Sequence, residues 1–445
     1  MRSALPVVAI LGRPNVGKST FFNRVLGEKH AIVEDRPGVT RDRNFARSDW
    51  AGRTFYLVDT GGLEPSIEEP FANVVRDQVL AAIREADLLV FLVDGLAGPQ
   101  PADHQVAELL RQTNKPVLLI VNKLDRLPQE TAHHEFWELG LGEPLPLSAA
   151  TGKGSGDVLD RIVEHLPPAA PVEAEEQALY VAVVGKPNVG KSSFINKLLG
   201  QERLVVSELA GTTRDAIDTP IRYHGRTLVF IDTAGLRKHA RIEPGIEYFS
   251  ALRSERAIER SDVCILLVDA TEGELHVQDL KIAERVWNAG KSLILAVNKW
   301  DLVEKETGTS VALERRIRMR VPMLKWVPIL FTSALTGQRV HRVLDLVLES
   351  AEQRARRIST REVNEVVREL ARRQPPPHYR GMPVKVLYAT QVEKSPPTFV
   401  LFVNHAKAMT DSYLRFLVNG FREAWGFHGS PVRIRVRARR EKKTV

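Results

Sequence analysis

The chain has 445 residues, a length that predicts about three domains. Its 43% apolar content excludes wholesale disorder, and no run approaches the roughly 18 uncharged apolar residues of a membrane span. The apolar run from Pro6 to Leu11 is too short for a signal peptide, and the single cysteine, Cys264, excludes an intramolecular disulfide. These features predict a soluble, cytoplasmic, multidomain protein with no membrane partner.

The net charge of +8 is distributed unevenly along the chain. Residues 351–445 hold 20 basic and 8 acidic side chains, a balance of +12, whereas the first 350 residues carry −4. A basic segment behind a mildly acidic body predicts a polyanionic partner, and RNA is the polyanion that needs no membrane. A solvated basic tail would have the same composition.

Short apolar runs alternate with amphipathic stretches through the first 350 residues. This alternation predicts an α/β fold with a mainly parallel sheet and helices on both faces. In chain order, the predicted strands are Val7–Leu11, Thr54–Val58, Leu88–Asp94, Val117–Asn122, Tyr180–Val184, Thr227–Ile231, Val263–Asp269 and Ser292–Asn298. A helix is predicted after the first strand of each series, at Ser19–Leu26 and at Ser192–Leu199.

The two series of strands are copies of one domain. G-R-P-N-V-G-K-S at residues 12–19 returns as G-K-P-N-V-G-K-S at residues 185–192, and D-T-G-G at 59–62 returns as D-T-A-G at 232–235. A repeat of this length indicates duplicated domains rather than a solenoid. We therefore predict one copy at residues 1–166, a proline- and acid-rich linker at 167–178, a second copy at 179–350 and a basic domain at 351–445.

The repeated G-x-x-x-x-G-K-S pattern closes a strand and opens a helix, which is the context of a phosphate-binding loop. The glycines let backbone N–H groups turn toward the β-phosphate, the lysine reaches the β- and γ-phosphate oxygens, and the serine binds Mg²⁺. The residues predicted to contact nucleotide here are Gly12, Asn15, Gly17, Lys18, Ser19 and Thr20 in the first copy, and Gly185, Asn188, Gly190, Lys191, Ser192 and Ser193 in the second.

An aspartate ends a further apolar strand in each copy and begins a D-x-x-G motif. Its carboxylate is predicted to hold Mg²⁺ through water, and the N–H of the glycine to contact the γ-phosphate. A threonine in the preceding loop is predicted to bind Mg²⁺ only when the γ-phosphate is present, which makes a switch. The predicted Mg²⁺ ligands are Ser19, Thr40, Asp59, Ser192, Thr213 and Asp232. The predicted catalytic residues are Lys18, Thr40, Gly62, Lys191, Thr213 and Gly235.

A third repeated motif, N-K-x-D, predicts that the bound base is guanine. The aspartate accepts hydrogen bonds from N1–H and the exocyclic amine of guanine, a donor pair that adenine lacks. A backbone N–H of the later S-A dipeptide is predicted to bind O6. The residues predicted for the base are Asn122, Lys123, Asp125, Ser148 and Ala149, and Asn298, Lys299, Asp301, Ser333 and Ala334. The chain is therefore predicted to bind GTP and GDP at two sites and to hydrolyse GTP.

The residue after D-x-x-G predicts slow intrinsic hydrolysis. Many small GTPases have there a glutamine that orients the attacking water, but this chain has Leu63 in the first copy and Leu236 in the second. Two ways of neutralising the transition state stay open. One is a switch arginine, Arg41 or Arg214. The other is a K⁺ ion, to which a side-chain carbonyl of the phosphate loop, from Asn15 or Asn188, could bind.

The basic domain is predicted to be α+β, in the order helix, strand, strand, helix, strand. Its last strand alternates apolar residues with a row of arginines, Arg433, Arg435, Arg437 and Arg439. Such a row suits contacts with RNA phosphates, and docking on the acidic first 350 residues is the alternative that stays open. The G-F-H-G sequence at 426–429 joins a helix to a strand, whereas the RNA-binding loop of a KH domain joins two helices.

Two G-x-P-N-V-G-K-S loops, an acidic linker and a basic C-terminal domain together resemble the EngA (Der) family of bacterial tandem GTPases, over nearly the whole chain. The similarity is especially close at residues 211–220, 232–237 and 268–273, and the G-F-x-G-x-P pattern is met at 426–431. The resemblance implies a KH-like fold for the last domain and K⁺-stimulated hydrolysis through Asn15 and Asn188. It also implies nucleotide-dependent binding to the large ribosomal subunit and its rRNA during ribosome biogenesis.

Two other classes of function stay open, and a monomer is expected because both copies are in one chain. In the first class, one copy hydrolyses GTP poorly and acts as a nucleotide sensor, although both copies keep every phosphate, Mg²⁺ and guanine motif. The second class is a tRNA-modification or membrane-remodelling GTPase. The tandem copies, the single mid-strand cysteine and the lack of an amphipathic membrane helix count against it.

Overall fold

The computed structural model describes residues 5–27, 45–60, 71–126, 133–168, 178–200, 205–206, 218–233, 246–304 and 306–438. The chain divides into two compact units, Met1–Ala174 with Arg241–Arg256, and Glu175–Ala240 with Ala257–Val445. The first copy of the repeat lies in the first unit. The second copy, apart from Arg241–Arg256, and the C-terminal domain lie together in the second unit.

The first copy is a six-stranded sheet with helices between its strands. The strands are β1 (Val7–Leu11), β2 (Phe45–Trp50), β3 (Arg53–Asp59), β4 (Leu88–Asp94), β5 (Val117–Asn122) and β6 (Leu145–Pro146). The helices are α1 (Lys18–Gly27), α2 (Phe71–Glu85), α3 (Pro101–Arg111) and α4 (Ser155–His165). The strand order is β2-β3-β1-β4-β5-β6, and every neighbouring pair is parallel except β2 with β3.

The second copy repeats this architecture with one more edge strand. Its strands are β7 (Leu179–Val184), β8 (Val205–Val206), β9 (Thr219–Tyr223), β10 (Arg226–Phe230), β11 (Val263–Asp269), β12 (Ser292–Asn298) and β13 (Ile329–Phe331). Its helices are α5 (Lys191–Leu199), α6 (Ile246–Arg260), α7 (Val277–Asn288), α8 (Thr309–Arg320) and α9 (Arg342–Ala355). The order is β13-β12-β11-β7-β10-β9-β8, with β8, β9 and β10 antiparallel to one another in turn.

The C-terminal domain is a three-stranded sheet with two helices. It contains α10 (Thr360–Arg373), β14 (Val386–Glu393), β15 (Thr398–Val403), α11 (Asp411–Trp425) and β16 (Arg433–Ala438). The strand order is β14-β15-β16, in which the first pair is antiparallel and the second parallel. The predicted order of elements, and the prediction of two α/β copies followed by an α+β domain, are confirmed.

The central strands are buried on both faces because each face of the sheet meets its own helix layer. In β1, Ala9 packs in one core cluster with Phe91, and the next residue, Ile10, packs in the opposite cluster with Phe21. Two cores per sheet fix the strands relative to the loops at their carboxyl ends, where ligands bind in such folds.

The strands β2 and β9 were not predicted from the hydrophobic pattern. Each forms a hairpin with the strand that follows it, through a turn with two positive φ angles: 49° at Ala51 and 74° at Gly52, and 48° at His224 and 76° at Gly225. Two consecutive positive φ angles match the right-handed twist of a two-residue hairpin. The two X-Gly pairs were therefore the sequence signal for these strands.

Candidate nucleotide-binding sites

Both phosphate loops lie between the first strand and first helix of their copy, as predicted. Gly12 and Gly17 have φ angles of 146° and 101°, and Gly185 and Gly190 have 150° and 94°. A Cβ atom on Gly17 would overlap the side-chain amide of Asn122, and one on Gly190 would overlap that of Asn298 in the same way. Only glycine fits these positions, because the backbone of the loop passes directly beside the guanine motif.

The lysine of each loop is held by the loop's own carbonyl groups. Nζ of Lys18 donates to the carbonyl oxygens of Gly12 and Arg13, both at 2.8 Å. Lys191 makes the matching pair of bonds, to Gly185 at 2.8 Å and to Lys186 at 2.7 Å. The ammonium groups are therefore fixed at the mouth of the loop.

Burial lowers the pKa of both lysines, because it penalises the charged ammonium. The pKa of Lys191 falls to about 8. The pKa of Lys18 is also lowered by burial, although the nearby Asp59 carboxylate opposes the shift. A bound phosphate would compensate each buried positive charge.

The first copy brings a hydroxyl and a carboxylate together beside the loop. Oγ of Ser19 donates to Oδ2 of Asp59 at 2.6 Å, and Asp59 is 3% exposed. Oxygen donors of this kind fit Mg²⁺, which takes one or two protein oxygens and completes its shell with phosphates and water. Among the described residues there is no group of three His, Cys, Asp or Glu side chains that would fit a metal bound by protein alone.

The corresponding aspartate of the second copy, Asp232, is held differently. Its φ angle is +56°, and its backbone N–H donates to Oδ1 of Asp218 at 3.0 Å. It lies two residues beyond Phe230, the last residue of β10, whereas Asp59 is itself the last residue of β3. The bonds described for the two D-x-x-G aspartates thus involve different groups, the side chain of Asp59 and the main chain of Asp232.

The asparagine of each N-K-x-D motif joins three motifs by hydrogen bonds. Nδ2 of Asn122 donates to the carbonyl oxygen of Val16 at 2.8 Å, and its Oδ1 accepts from the N–H of Ala149 at 2.9 Å. Asn298 repeats both bonds at the same lengths, with the carbonyl of Val189 and the N–H of Ala334. The N–H groups of Ala149 and Ala334 were predicted to bind guanine O6. Each already donates to the asparagine, so a bond to O6 would have to share the same hydrogen.

The aspartates that would bind guanine follow on the same segments. Ser148 donates its hydroxyl to Oδ1 of Asp125 at 3.1 Å, which joins the two base motifs of the first copy. In the second copy Asp301 lies in the 3₁₀ turn Trp300–Leu302, and Ser333 is completely buried. The structure thus brings the predicted phosphate and base residues of each copy to one edge of its sheet.

Two aspartates at the ends of β4 and β11 belong to the sites but were given no role from the sequence. Oδ2 of Asp94 accepts from Nζ of Lys123 at 2.7 Å, and Asp269 accepts from Lys299 at 2.6 Å. Burial acts to raise the pKa of Asp269, but hydrogen bonds from Lys299 and Thr271 outweigh it and the pKa is lowered. The signal was their matching position, since each closes a Leu-Val-Asp run.

The second residue of each phosphate loop is anchored to a buried aspartate as well. Nε of Arg13 donates to Oδ1 of Asp103 at 2.8 Å, and Lys186 lies 3.6 Å from Oδ2 of Asp279 and also pairs with Glu272. Asp103 and Asp279 are fully buried near the N-termini of α3 and α7, in capping boxes. The sequence signal that could have found them is an aspartate three residues after the N-cap position of an amphipathic stretch.

Part of the predicted machinery lies outside the described residues. This applies to the switch residues Thr40, Gly62, Thr213 and Gly235, and to Leu63, Leu236, Arg41, Arg214 and Arg439. Their roles stay predictions.

The comparisons with known proteins agree with this geometry. A family model described as a 50S ribosome-binding GTPase matches residues 7–123 and again residues 180–299. The chain is 55% identical to the GTPase Der of Gemmatimonas aurantiaca and 49% identical to that of Caldanaerobacter subterraneus, in each case over 98% of this chain and 99% of the relative. The chain belongs to the Der (EngA) family of GTPases. The family prediction is confirmed, and with it GTP hydrolysis, ribosome binding and a role in ribosome biogenesis.

The Der family also accounts for the C-terminal domain. The model described as the KH-domain-like C-terminal region of EngA bacterial GTPase enzymes matches residues 357–437. Among solved structures the chain is similar to Era of Aquifex aeolicus bound to GDP·AlF₄⁻, with 22% identity, 59% of this chain and 93% of that chain covered, and a TM-score of 0.31. Of the helices described here, none has the length and apolar character needed to cross a membrane.

The KH-like domain of this Der-family chain docks on the second GTPase domain through the loop predicted not to be an RNA-binding loop. The N–H of Gly429 donates to the carbonyl of Trp326 at 2.8 Å, and the carbonyl of Gly429 accepts from the N–H of Leu293 at 2.7 Å. Gly429 has φ = +72°, and a Cβ there would press on Ser350. The loop therefore continues the edge of the GTPase sheet beside β12.

The arginine row of β16 is divided between the two alternatives left open by the sequence. Arg433 donates to the carbonyl of Asn288, at the end of α7 in the second GTPase domain. Arg435 pairs with Glu393 of its own domain at 2.9 Å, and Arg437 is exposed. Docking on the GTPase domain thus accounts for Arg433 but leaves Arg437 facing solvent.

Proposed function

We propose that both GTPase domains bind and hydrolyse GTP with Mg²⁺, and that nucleotide state sets the affinity of the chain for rRNA of the large ribosomal subunit. One observation supports two working sites above all others. The lysine–carbonyl bonds of Lys18 and Lys191 and the two bonds of Asn122 and Asn298 recur in both copies within 0.1 Å. Both sites are therefore built to the same plan.

In each site the phosphate loop would bind the α- and β-phosphates through backbone N–H groups, and the lysine would bind the β- and γ-phosphates. The other loop residues that we propose to contact the nucleotide are Gly12, Asn15, Gly17, Ser19 and Thr20 in the first site, and Gly185, Asn188, Gly190, Ser192 and Ser193 in the second. Asp125 and Asp301 would accept from guanine and so select GTP over ATP.

The serine hydroxyl and D-x-x-G aspartate of each copy would hold Mg²⁺, which when bound neutralises charge on the phosphate oxygens. The 2.6 Å bond between Ser19 and Asp59 supports this assignment in the first copy. Thr40, Gly62, Thr213 and Gly235 are proposed to complete the sites when the γ-phosphate is present.

Slow intrinsic hydrolysis and stimulation by K⁺ are further parts of the proposal. Asn15 and Asn188 are exposed within the phosphate loops and have φ angles of 64° and 63°, a conformation that asparagine tolerates better than most residues. Hydrolysis measured in K⁺ and in Na⁺, for the chain and for Asn15→Ala with Asn188→Ala, tests this part. Equal rates in the two salts would contradict it.

We propose that the chain acts as a cytoplasmic monomer, with domains at 1–166, 179–350 and 351–445 joined by the linker at 167–178. The exposed Arg437 supports an RNA contact by the KH-like domain. Sedimentation of the chain with purified ribosomal subunits tests the central claim, with a non-hydrolysable GTP analogue, GDP or no nucleotide. Selective co-migration with the large subunit in the GTP-analogue state is expected. Absence of binding in every state, at low salt as well as high, would overturn it.

Separate substitution of the two loop lysines divides the work between the sites. Lys18→Ala and Lys191→Ala should each abolish turnover at one site, because each removes the charge that faces the β- and γ-phosphates. Single-turnover hydrolysis by each variant gives the rate of the site that remains. Equal rates would exclude the idea that one copy is only a sensor, whereas a rate near zero in one variant would support it.

A further inference from the structure

The second GTPase domain contains a buried ion pair next to its Mg²⁺-side aspartate. Asp218 lies just before β9, and Arg260 is the last residue of α6. The guanidinium of Arg260 contacts both carboxylate oxygens of Asp218, whose side chain is 1% exposed, and the Arg260 side chain is 11% exposed. A carboxylate this deeply buried needs a compensating charge, because removing Arg260 would leave the negative charge of Asp218 away from water without this partner.

The same carboxylate holds the main chain of Asp232. Oδ1 of Asp218 accepts the N–H of Asp232 at 3.0 Å, so that a continuous chain of bonds runs from Arg260 through Asp218 to Asp232. Asp232 is in the left-handed region, at φ = +56°, a conformation that costs free energy unless neighbouring contacts enforce it. The hydroxyls of Thr219 and Thr233 lie 2.6 Å apart, and their hydrogen bond joins the start of β9 to the residue after Asp232.

The first GTPase domain lacks this arrangement. The strand register places Phe45, opposite Val58, at the position of Asp218, and the end of α2 places Glu85 at the position of Arg260. Phe45 packs on Tyr56 in an edge contact 6.3 Å between ring centres. Asp59 is instead held by the hydroxyl of Ser19. The two copies thus fix the same motif residue by different means.

We propose that Arg260 and Asp218 are positioning residues that set the backbone conformation of Asp232 and thereby the Mg²⁺ affinity of the second nucleotide site. The proposal rests on the assignment of Asp232 to Mg²⁺ made above. Arg260 orients the carboxylate of Asp218, and this carboxylate fixes the N–H of Asp232 and the point at which the motif leaves the sheet. The Mg²⁺ affinity of the first site does not depend on such a pair.

The test measures release of a fluorescent GDP analogue from the full chain as a function of Mg²⁺ concentration. Asp125→Asn removes the guanine acceptor of the first site, so that the analogue reports the second site, and Asp301→Asn gives the opposite background. One analogue bound per chain in each background is the check on the nucleotide sites themselves. Two or none would point to a failure of the proposed function rather than of the ion pair.

In the background that reports the second site, Arg260→Met should raise the Mg²⁺ concentration for half-maximal slowing of release by about fivefold, as expected for loss of a positioning hydrogen bond. The release rate in EDTA should stay within about twofold, since the loop and base contacts remain. Asp218→Asn keeps an oxygen acceptor for the N–H of Asp232 and should have a smaller effect. The double variant should be no worse than Arg260→Met, because no unpaired buried charge is left.

The matched control is Arg226→Met, which removes an ion pair with Glu352 whose two side chains are 50% and 62% exposed. It should leave the Mg²⁺ dependence unchanged. Three results would overturn the proposal: an unchanged Mg²⁺ dependence in folded Arg260→Met, an equal change of the release rates with and without Mg²⁺, or the same shift at the first site. If Arg260→Met does not fold, the double variant Arg260→Met with Asp218→Leu, which removes both buried charges and the acceptor for the N–H of Asp232, carries the test, and an unshifted Mg²⁺ midpoint there has the same meaning.

Discussion

The side-chain amide of Asn122 lies 2.8 Å from the carbonyl oxygen of Val16, inside the phosphate loop. Asn122 is 2% exposed, so this bond forms away from water, and the base motif supports the phosphate loop directly. Asn122, which was predicted from the sequence to contact the base, therefore also cross-links the base motif to the phosphate loop. Asn298 makes the equivalent bond to Val189 in the second copy, so that in each copy the asparagine joins the loop to the base motif.

Asn122→Ala should destabilise the first GTPase domain and weaken nucleotide binding there. The substitution leaves the carbonyl of Val16 and the N–H of Ala149 buried without this partner, at a cost of about 1–3 kcal/mol each at most. Chemical unfolding with and without GDP measures both effects. Asn298→Ala should act in the same way on the second site, and a variant with wild-type stability and affinity would contradict the cross-link.

Nucleotide binding at the second site should take up a proton at mildly alkaline pH. Burial lowers the pKa of Lys191 from 10.5 to about 8, so between these values the folded chain binds fewer protons than the unfolded chain. The contribution of this group to the free energy of unfolding therefore rises as pH increases from 8 to 10.5. A bound phosphate favours the ammonium and raises its pKa again.

Calorimetry of GDP binding at pH 8.5, in two buffers with different ionisation enthalpies, measures the uptake in the Asp125→Asn background. We expect a fraction of a proton per GDP. Lys191→Arg stays charged at this pH and should abolish the uptake. Uptake that persists in this variant would assign the proton to another group.

Arg422 should be a main contributor to docking of the KH-like domain on the second GTPase domain. It is 3% exposed and donates to the carbonyls of Phe427 at 2.8 Å and Ser430 at 2.6 Å. Its guanidinium also lies 5.1 Å from the ring centre of Trp287 and 5.5 Å from that of Trp326, and burial lowers its pKa to about 10.

Arg422→Met should therefore lower the free energy of unfolding by about 2–4 kcal/mol, since it removes two bonds from a buried charge and two ring contacts. Denaturant unfolding followed by tryptophan fluorescence measures it. Arg435→Met is the control, because its ion pair with Glu393 is about half exposed and should contribute less than about 1 kcal/mol. Equal losses in both variants would contradict a special role for Arg422.

Arg437 and Arg433 should affect ribosome binding in different ways. Arg437 is exposed, so Arg437→Gln should reduce the salt dependence of large-subunit binding by about one unit of slope without loss of stability. Arg433 binds the carbonyl of Asn288, so Arg433→Gln should lower stability instead. Large-subunit binding measured from 50 to 200 mM salt distinguishes the two variants. An unchanged salt dependence in Arg437→Gln would indicate that the arginines of β16 serve only to dock the KH-like domain.

The eight strands predicted for the two GTPase copies were all found. Each is largely buried on both faces and therefore gives an apolar run in the sequence. Edge strands escaped because one side faces solvent: β2, with the sequence F-A-R-S-D-W, has no apolar run at all. The pairing of β2 with β3 depends on the turn at Ala51 and Gly52, and a hydrophobic pattern cannot reveal such a turn.

The sequence motifs predicted which residues are assigned to the nucleotide, but they did not predict the side chains that support these residues. Lys123 and Asp94 are 29 residues apart, and their pairing depends on adjacent strand ends in the folded sheet. The ion pair between Arg260 and Asp218 joins the end of a helix to the start of a strand, and no local sequence pattern predicts that these two ends meet. The docking contacts of Gly429 could not be predicted for the same reason, because the sequence of a loop does not show which part of the fold it will contact.

The strand β12 connects the docking point of the KH-like domain to the guanine motif of the second GTPase domain. It meets the loop of the KH-like domain at Leu293 and ends at Asn298, the start of the guanine motif, a span of about 17 Å at 3.3 Å per residue. Every residue of the strand is buried, so it has little freedom to bend. Docking of the KH-like domain and placement of the guanine motif therefore depend on the same buried strand, and a substitution that shifts β12 should affect both.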